Sequence, residues 1–399
     1  MSGGYSILRK IKSTPPSEYR VLTTLPTDLD KFSEQPVAFD FETHGVDPTT
    51  GSIRSISLAN DYGTVAIDVE KLSKTDRIKL TNWLLEQDLI AHNAVFDAGW
   101  IYAKTGKMPK IYACTLVLYK LLATEGYLGQ RWGLKSAMTE LIGWPESNEA
   151  DLYEWLKENK LKPKDMAQAP WEILGKYNAL DSAATWQLYK YLRVVIEEHG
   201  WEDQILDFHE KDFVNLMKLL IEQQVTGMTI DLDALEQYNE QLEEEIASKR
   251  EGFLQHPEVR SHVEYYQSVI IEEIEKLEPP QYTKKGEVTA RYKKWQEKLA
   301  AAKERIDFNI DSTQQLQWLF YERLFYQCPI KTEKGLPSVG KKAFPYLGEL
   351  GKIMKEYREL RDRRKFVTAL FNVQREGVVY PTVKPHGTLT GRSSGGIET

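Results

Sequence analysis

Val37-Ala38-Phe39-Asp40-Phe41-Glu42-Thr43 is an apolar run that breaks into two carboxylates on alternate positions. Alternate residues of a strand point to one face, so the pattern predicts a buried strand that carries Asp40 and Glu42 to one point. Two carboxylates held that close repel each other unless a cation lies between them.

Around this strand the sequence alternates element types. Residues 1–30 hold Pro15-Pro16 and scattered charge and read as an N-terminal arm. Ser52–Leu58 and Thr64–Val69 alternate and flank the turn signal Asp61-Tyr62-Gly63, which predicts a hairpin or meander. Helical spacing over Thr75–Glu86, a short strand over Asp88–Ala91 and a helix over Asn93–Lys104 follow. Further helices are expected at Cys114–Leu122, Gly133–Ile142 and Trp171–Glu198. Strands followed by alternating helices give a mixed α/β domain over residues 31–200.

From Trp201 the texture is long and helical. Leu235, Tyr238, Leu242 and Ile246 step by three or four. Ser312-Thr313-Gln314-Gln315 has capping-box spacing, and a last long helix is expected over Lys341–Phe371. Tyr282–Gly286 is polar and reads as a loop, and the chain is turn-rich from Asn372. A length of 399 residues implies two or three domains. The net charge of −7 counts against a simple nucleic-acid binder, unless charge is segregated locally. Two distant cysteines, Cys114 and Cys328, make no disulfide framework, so the cytoplasm is the default compartment. No run approaches the roughly 18 apolar residues of a membrane span, and no signal peptide is evident.

Three local patterns carry chemistry: Asp40-Phe41-Glu42, then His92-Asn93-Ala94-Val95-Phe96-Asp97 at a strand-to-helix junction, then Tyr177-Asn178-Ala179-Leu180-Asp181 inside a helix. Tyr177 and Asp181 are four apart and share a helical face. Each pattern alone has an ordinary reading: a strand end, a helix cap, a local packing pair. Their joint occurrence in this order is far more specific. Asp40, Glu42, Asp97 and Asp181 offer only hard oxygen ligands, which suit Mg²⁺ or Mn²⁺ rather than zinc. Four acids can hold two such ions about 3.5–4 Å apart, the arrangement for in-line displacement at phosphorus. Tyr177 is placed to aim the attacking water.

The first half resembles the DEDD superfamily of 3′–5′ exonucleases in its tyrosine-bearing form. Asp40 and Glu42 match the first motif of that family, Asn93, Phe96 and Asp97 the second, and Tyr177 and Asp181 the third. The histidine form is excluded by Lys176. The resemblance implies a ribonuclease H-like fold, a mixed sheet flanked by helices. It implies that Asp40 bridges both ions, that Glu42 and Asp181 complete the nucleophile side, and that Asp97 acts at the other ion through water. It places Val46 against the terminal bases and has Asn93 hold the frayed strand.

In the second half, Gly227-Met228-Thr229-Ile230-Asp231, Phe308–Leu316, Lys331–Val339 and Thr388–Ser394 resemble, in that order, the region between exonuclease and palm in family A DNA polymerases of bacteriophage type. The implied architecture is a helical thumb over residues 201–380, with an insertion near 258–305, and the start of a palm over 381–399. Lys352, Lys355, Arg358, Arg361, Arg363, Arg364 and Lys365 enrich one helix in positive charge that could contact DNA phosphates; Glu356, Glu359 and Asp362 offer the alternative of a salt-laced face. Arg392 in Thr390-Gly391-Arg392 would touch DNA backbone. The palm's aspartates and the fingers helix do not occur before Thr399. The expectation is therefore a proofreading exonuclease that needs a second chain, carrying palm and fingers, to polymerise, whether as half of a split polymerase or as a truncated product. Its partners would be a single-stranded 3′ end and primer–template duplex, with room for a processivity factor and no membrane; if phage-encoded, it would act in the host cytoplasm. The alternatives are a free-standing RNA-processing exonuclease and a structural half that completes a polymerase.

Overall fold

The computed structural model describes residues 11–122, 132–145, 149–282, 287–304, 308–388 and 392–396. The chain divides into two compact units, one made of residues up to Thr229 and from Val373 onward, the other of Ile230–Asn372.

The first unit is built on a six-stranded sheet: β1 (Arg20–Leu22), β2 (Val37–His44), β3 (Ser52–Asn60), β4 (Gly63–Asp68), β5 (Asp88–Ala91) and β6 (Lys110–Cys114), in the order β1-β4-β3-β2-β5-β6. β3 runs antiparallel to both its neighbours, while β2–β5, β5–β6 and β1–β4 pair in parallel. This is the ribonuclease H-like mixed sheet expected from the sequence. Its helices are α1 (Lys74–Glu86), α2 (Ala94–Thr105), α3 (Thr115–Leu122), α4 (Leu134–Ala137, continued by a π-turn over Met138–Ile142), α5 (Ala150–Glu158), α6 (Trp171–Glu198) and α7 (Val214–Thr226).

Each face of the sheet has its own core. Val37, Phe39, Phe41, Ile56 and Ile67 bury with residues of α1, α2 and α7 on one side. Ala38, Ala59 and Ile90 pack with α3, α4 and α6 on the other. Two departures from the sequence reading follow from this packing. The expected arm, residues 1–30, contains an edge strand, β1, and leads into a 3₁₀ turn over Leu29–Glu34 that buries Phe32 completely. The unit also runs past the boundary read near residue 200, because Phe213, Val214, Met217 and Ile221 of the α7 region join the first core.

The second unit holds α8 (Leu232–Leu254), α9 (Pro257–Lys276), α10 (Ala290–Glu304), α11 (Thr313–Gln317) and α12 (Gly348–Val373). Ser312 caps α11 by accepting from Gln315 N at 3.3 Å, and Leu242, Leu360 and Val367 pack α8 against α12. Val259 and Val263 of the expected insertion are fully buried with Phe308, Phe320 and Leu350, so the start of α9 belongs to this unit's core. Part of the expected loop, Thr283–Gly286, lies outside the described residues. Four short strands complete the fold: β7 (Met228–Thr229), β8 (Val378–Val379), β9 (Thr382–Lys384) and β10 (Ser394–Gly396). They pair as β7–β8 and β9–β10, so the described part of the turn-rich tail supplies three of the four strands of two small antiparallel ribbons.

Docking of α6 on the sheet depends on Gly175. A Cβ there would lie 2.5 Å from Val21 Cγ1 and 3.1 Å from the Trp171 ring. Gly175→Leu should overpack this contact and cost about 1–3 kcal/mol, measured by denaturant unfolding; an unchanged midpoint would show that β1 yields freely.

Candidate functional site

The alternation of β2 sorts its residues. Val37, Phe39 and Phe41 enter the first core, while Ala38, Asp40 and Glu42 face the side covered by α6. Opposite Asp40 and Glu42 on β3 stand Ser57 and Ser55. These small side chains allow α6 to lie close to the sheet. The β2–β3 register slips between Glu42 and Thr43, an irregularity of the kind that re-aims side chains next to active sites. α6 then contributes Tyr177, Asn178 and Asp181. One carboxylate oxygen from each of Asp40, Glu42 and Asp181 lies within 4.8 Å of the others.

Asp97 comes from the first turn of α2 and is 2 % exposed. Its Oδ1 accepts from Phe41 N at 3.1 Å, which ties α2 to β2 between the two strand acids. It is not one of the three clustered carboxylates, but its charge acts on Glu42. Asn178 is fully buried. Its Nδ2 donates to Asp40 O at 3.2 Å and Oδ2 at 2.9 Å, while its Oδ1 accepts from Ser55 Oγ at 3.0 Å. This chain fixes the Asp40 carboxylate from below, an orienting role that the sequence reading missed. The only sequence signal is Asn178's place inside the Tyr-x-x-x-Asp motif, and it becomes meaningful only once β3 is known to lie beneath it.

Burial dominates the electrostatics. It pushes Asp40 up to about 6, against the opposing pull of the Lys135 ammonium and the Asn178 amide. Glu42 and Asp97 are raised well above the carboxylate range by burial and then by the charge of Asp40. The Tyr177 phenol is also raised, by burial and then by Glu42, so it stays protonated and can donate a hydrogen bond. Lys135 of α4 enters the cluster and is ion-paired with Asp181 and, at 3.0 Å, with Glu149. Its Nζ stands 4.4 Å from the Tyr177 ring centroid. An all-oxygen donor set with raised carboxyl pKa values fits a hard divalent ion, which would favour the charged forms that burial penalises.

The 3′–5′ exonuclease family of DNA polymerase A type matches residues 21–197. The DNA polymerase of Bacillus phage SP01 is 27 % identical over 338 residues, 79 % of this chain and 34 % of that protein. Residues 21–197 are a 3′–5′ exonuclease domain of the family A polymerase type. The chain spans about a third of the length of this curated relative. The solved POL domain of Pol1 from M. smegmatis, in complex with DNA primer-template and dNTP, shares the fold over 95 % of this chain and 54 % of that one, with a TM-score of 0.63 and 15 % identity.

Within the exonuclease domain, Val46 is 61 % exposed on the loop after β2. That loop is anchored by Asp47, which pairs with Arg375 at 2.6 Å. Asn93 begins α2 in the left-handed region, with φ 72°, and its side chain makes no capping hydrogen bond. The amide is thus not used as an ordinary helix cap. Phe96 is half-buried, edge-on to Trp100 at 6.2 Å. In the helical unit, Arg361 is paired with Asp311 and Arg364 with Glu243. These pairs, with Lys249–Glu356 and Lys341–Asp362, make the salt-laced face that was the alternative for this helix. Arg392 is exposed and its backbone carbonyl accepts from Gly387 N at 3.0 Å; Leu389, Thr390 and Gly391 lie outside the described residues. Among the described residues no helix is long and apolar enough to cross a membrane.

A carboxyl with a raised folded pKa favours folding at low pH and loses that contribution as pH rises from its unfolded value near 4 to above the folded value of about 6. In EDTA at pH 7.5, Asp40→Asn should therefore raise the thermal midpoint, and it should abolish the stabilisation that Mn²⁺ gives the native chain. A lower midpoint for the variant would contradict this. Asn178→Ala should weaken Mn²⁺ binding roughly 10–100-fold, read by titration calorimetry; unaltered affinity would assign Asn178 to packing alone.

Proposed function

We propose that this chain removes nucleotides from the 3′ end of DNA by metal-assisted phosphodiester hydrolysis, as the proofreading portion of a family A DNA polymerase. The observation that carries the reading is the convergence of Asp40, Glu42 and Asp181 within 4.8 Å beneath a buried tyrosine, inside a domain of the exonuclease family. The likeness to a phage DNA polymerase supports the replicative context.

In this reading Asp40, Glu42 and Asp181 would hold one divalent ion, and Asp97 with Asp40 would help to hold a second. The ions supply an activated water and stabilisation of the departing oxygen. The chain's own residues do the rest. Asn178 and Ser55 keep the Asp40 carboxylate in one orientation. Tyr177 is no base, since its phenol holds its proton; it donates a hydrogen bond that aims the water. Asn93 and Val46 hold the single-stranded terminus, the first with a free amide and the second with an exposed apolar side chain. Arg361 and Arg364 enter this reading only as thumb residues near duplex DNA, because their charges are already paired.

Asp40→Ala and Asp181→Ala should each abolish Mg²⁺-dependent release of nucleotides from a 3′-labelled oligonucleotide, while binding of the same oligonucleotide in Ca²⁺ persists. Undiminished digestion by either variant would refute the assignment. A native chain that degrades RNA but spares mismatched DNA would move the function to RNA processing.

A further inference from the structure

Lys135 reaches the site from an element that supplies none of the acids. It is the second residue of α4, and its ammonium is shared between two carboxylates of different standing. Asp181 belongs to the clustered trio, whereas Glu149, just before α5, does not. The side chains of Glu149 and Asp181 are 17 % and 10 % exposed, while that of Lys135 is 40 % exposed. The lysine is therefore the member of this group that is most open to an arriving ligand. A lysine that served only to neutralise the cluster would need no partner outside it. Here the flexible stem has two seats. A divalent ion bound by Asp181 would compete with the ammonium for that oxygen, and Glu149 would remain to hold the lysine.

Phosphodiester hydrolysis loads negative charge onto the non-bridging oxygens as the water oxygen bonds to phosphorus and the P–O3′ bond breaks. The bonding pair stays on O3′, which takes a proton from solvent, while the attacking water releases one. We propose that Lys135 donates a hydrogen bond to a non-bridging oxygen of the scissile phosphodiester and that Glu149 is its positioning residue. Lys135 keeps its own protons throughout. The inference rests on the exonuclease reading above and assigns it a further catalytic residue.

The test uses the full chain with Lys135→Met, Lys135→Arg and Glu149→Gln. Mn²⁺ binding without DNA is followed by electron paramagnetic resonance. Single-turnover release is measured on oligonucleotides whose last linkage is a phosphodiester or either phosphorothioate diastereomer. Lys135→Met should lower the phosphodiester rate by about 10²–10³-fold, the scale seen when one charge-stabilising donor is removed. Its Mn²⁺ affinity should be unchanged or higher, and its preference between the two diastereomers should shrink. Lys135→Arg should recover part of the rate, and Glu149→Gln should lose about tenfold. A Lys135→Met rate within threefold of native, or a loss matched by weaker Mn²⁺ binding with the diastereomer preference intact, overturns the assignment. If the native chain releases no nucleotide at all, the exonuclease reading fails and takes this one with it; an active native chain with an indifferent Lys135 sinks only the latter.

Discussion

Burying like charges beside one another is expensive, and the first unit is arranged around doing so. Asp40, Glu42 and Asp97 all sit where burial disfavours their ionised forms, and Asp181 joins two of them from the helix above. The sheet supplies rigidity through β2, held on both sides by neighbours. Small residues on its α6 face supply closeness. The Ser55–Asn178–Asp40 chain supplies direction. Without such constraints the acids would turn apart toward water. The cluster is thus a costly arrangement of the kind that a doubly charged ion would relax.

Much of this was legible in the sequence where pattern and period agree. The β2 alternation fixed which residues share a face, and α6 was bounded at Trp171 and Glu198 because its apolar stripe is long and regular. The acids could be found because they lie on these two strongly patterned elements and on the junction at Asn93. β1 escaped because three residues give no alternation, and because its partner strand starts more than forty residues later. α12 begins at Gly348, after its expected start, because Pro345 lies in a 3₁₀ turn and Gly348 takes a φ of 56°. The charge-rich α9 read as an appendage, yet its first turns carry two valines into the core.

The residues that sequence reasoning missed share one cause. Lys135 meets Asp181 across 46 positions, and Asn178 meets Asp40 across 138. Neither relation leaves a periodic trace. Lysine on a short helix and asparagine on a long one are common; only the tertiary placement makes them members of an acidic site. The basic run on α12 is another case where composition leaves two readings open: it is compatible with phosphate contact and with a salt-laced face, and the tertiary fold sets Arg361 against Asp311 and Arg364 against Glu243 of α8.

The pairing of β7 with β8 sets Met228 opposite Val379 and Thr229 opposite Val378. Just before it, Gly227 takes a φ of 74° where a Cβ would meet Val378. The polypeptide that leaves the first unit is therefore buttoned back onto it at the point of departure. Everything between Ile230 and Asn372 is, in topological terms, an excursion closed at its neck. Closing such an excursion costs only slightly more as it lengthens. A longer or shorter segment between Gly227 and Val378 would therefore add little closure cost, while the sheet with its gathered acids depends on neither length.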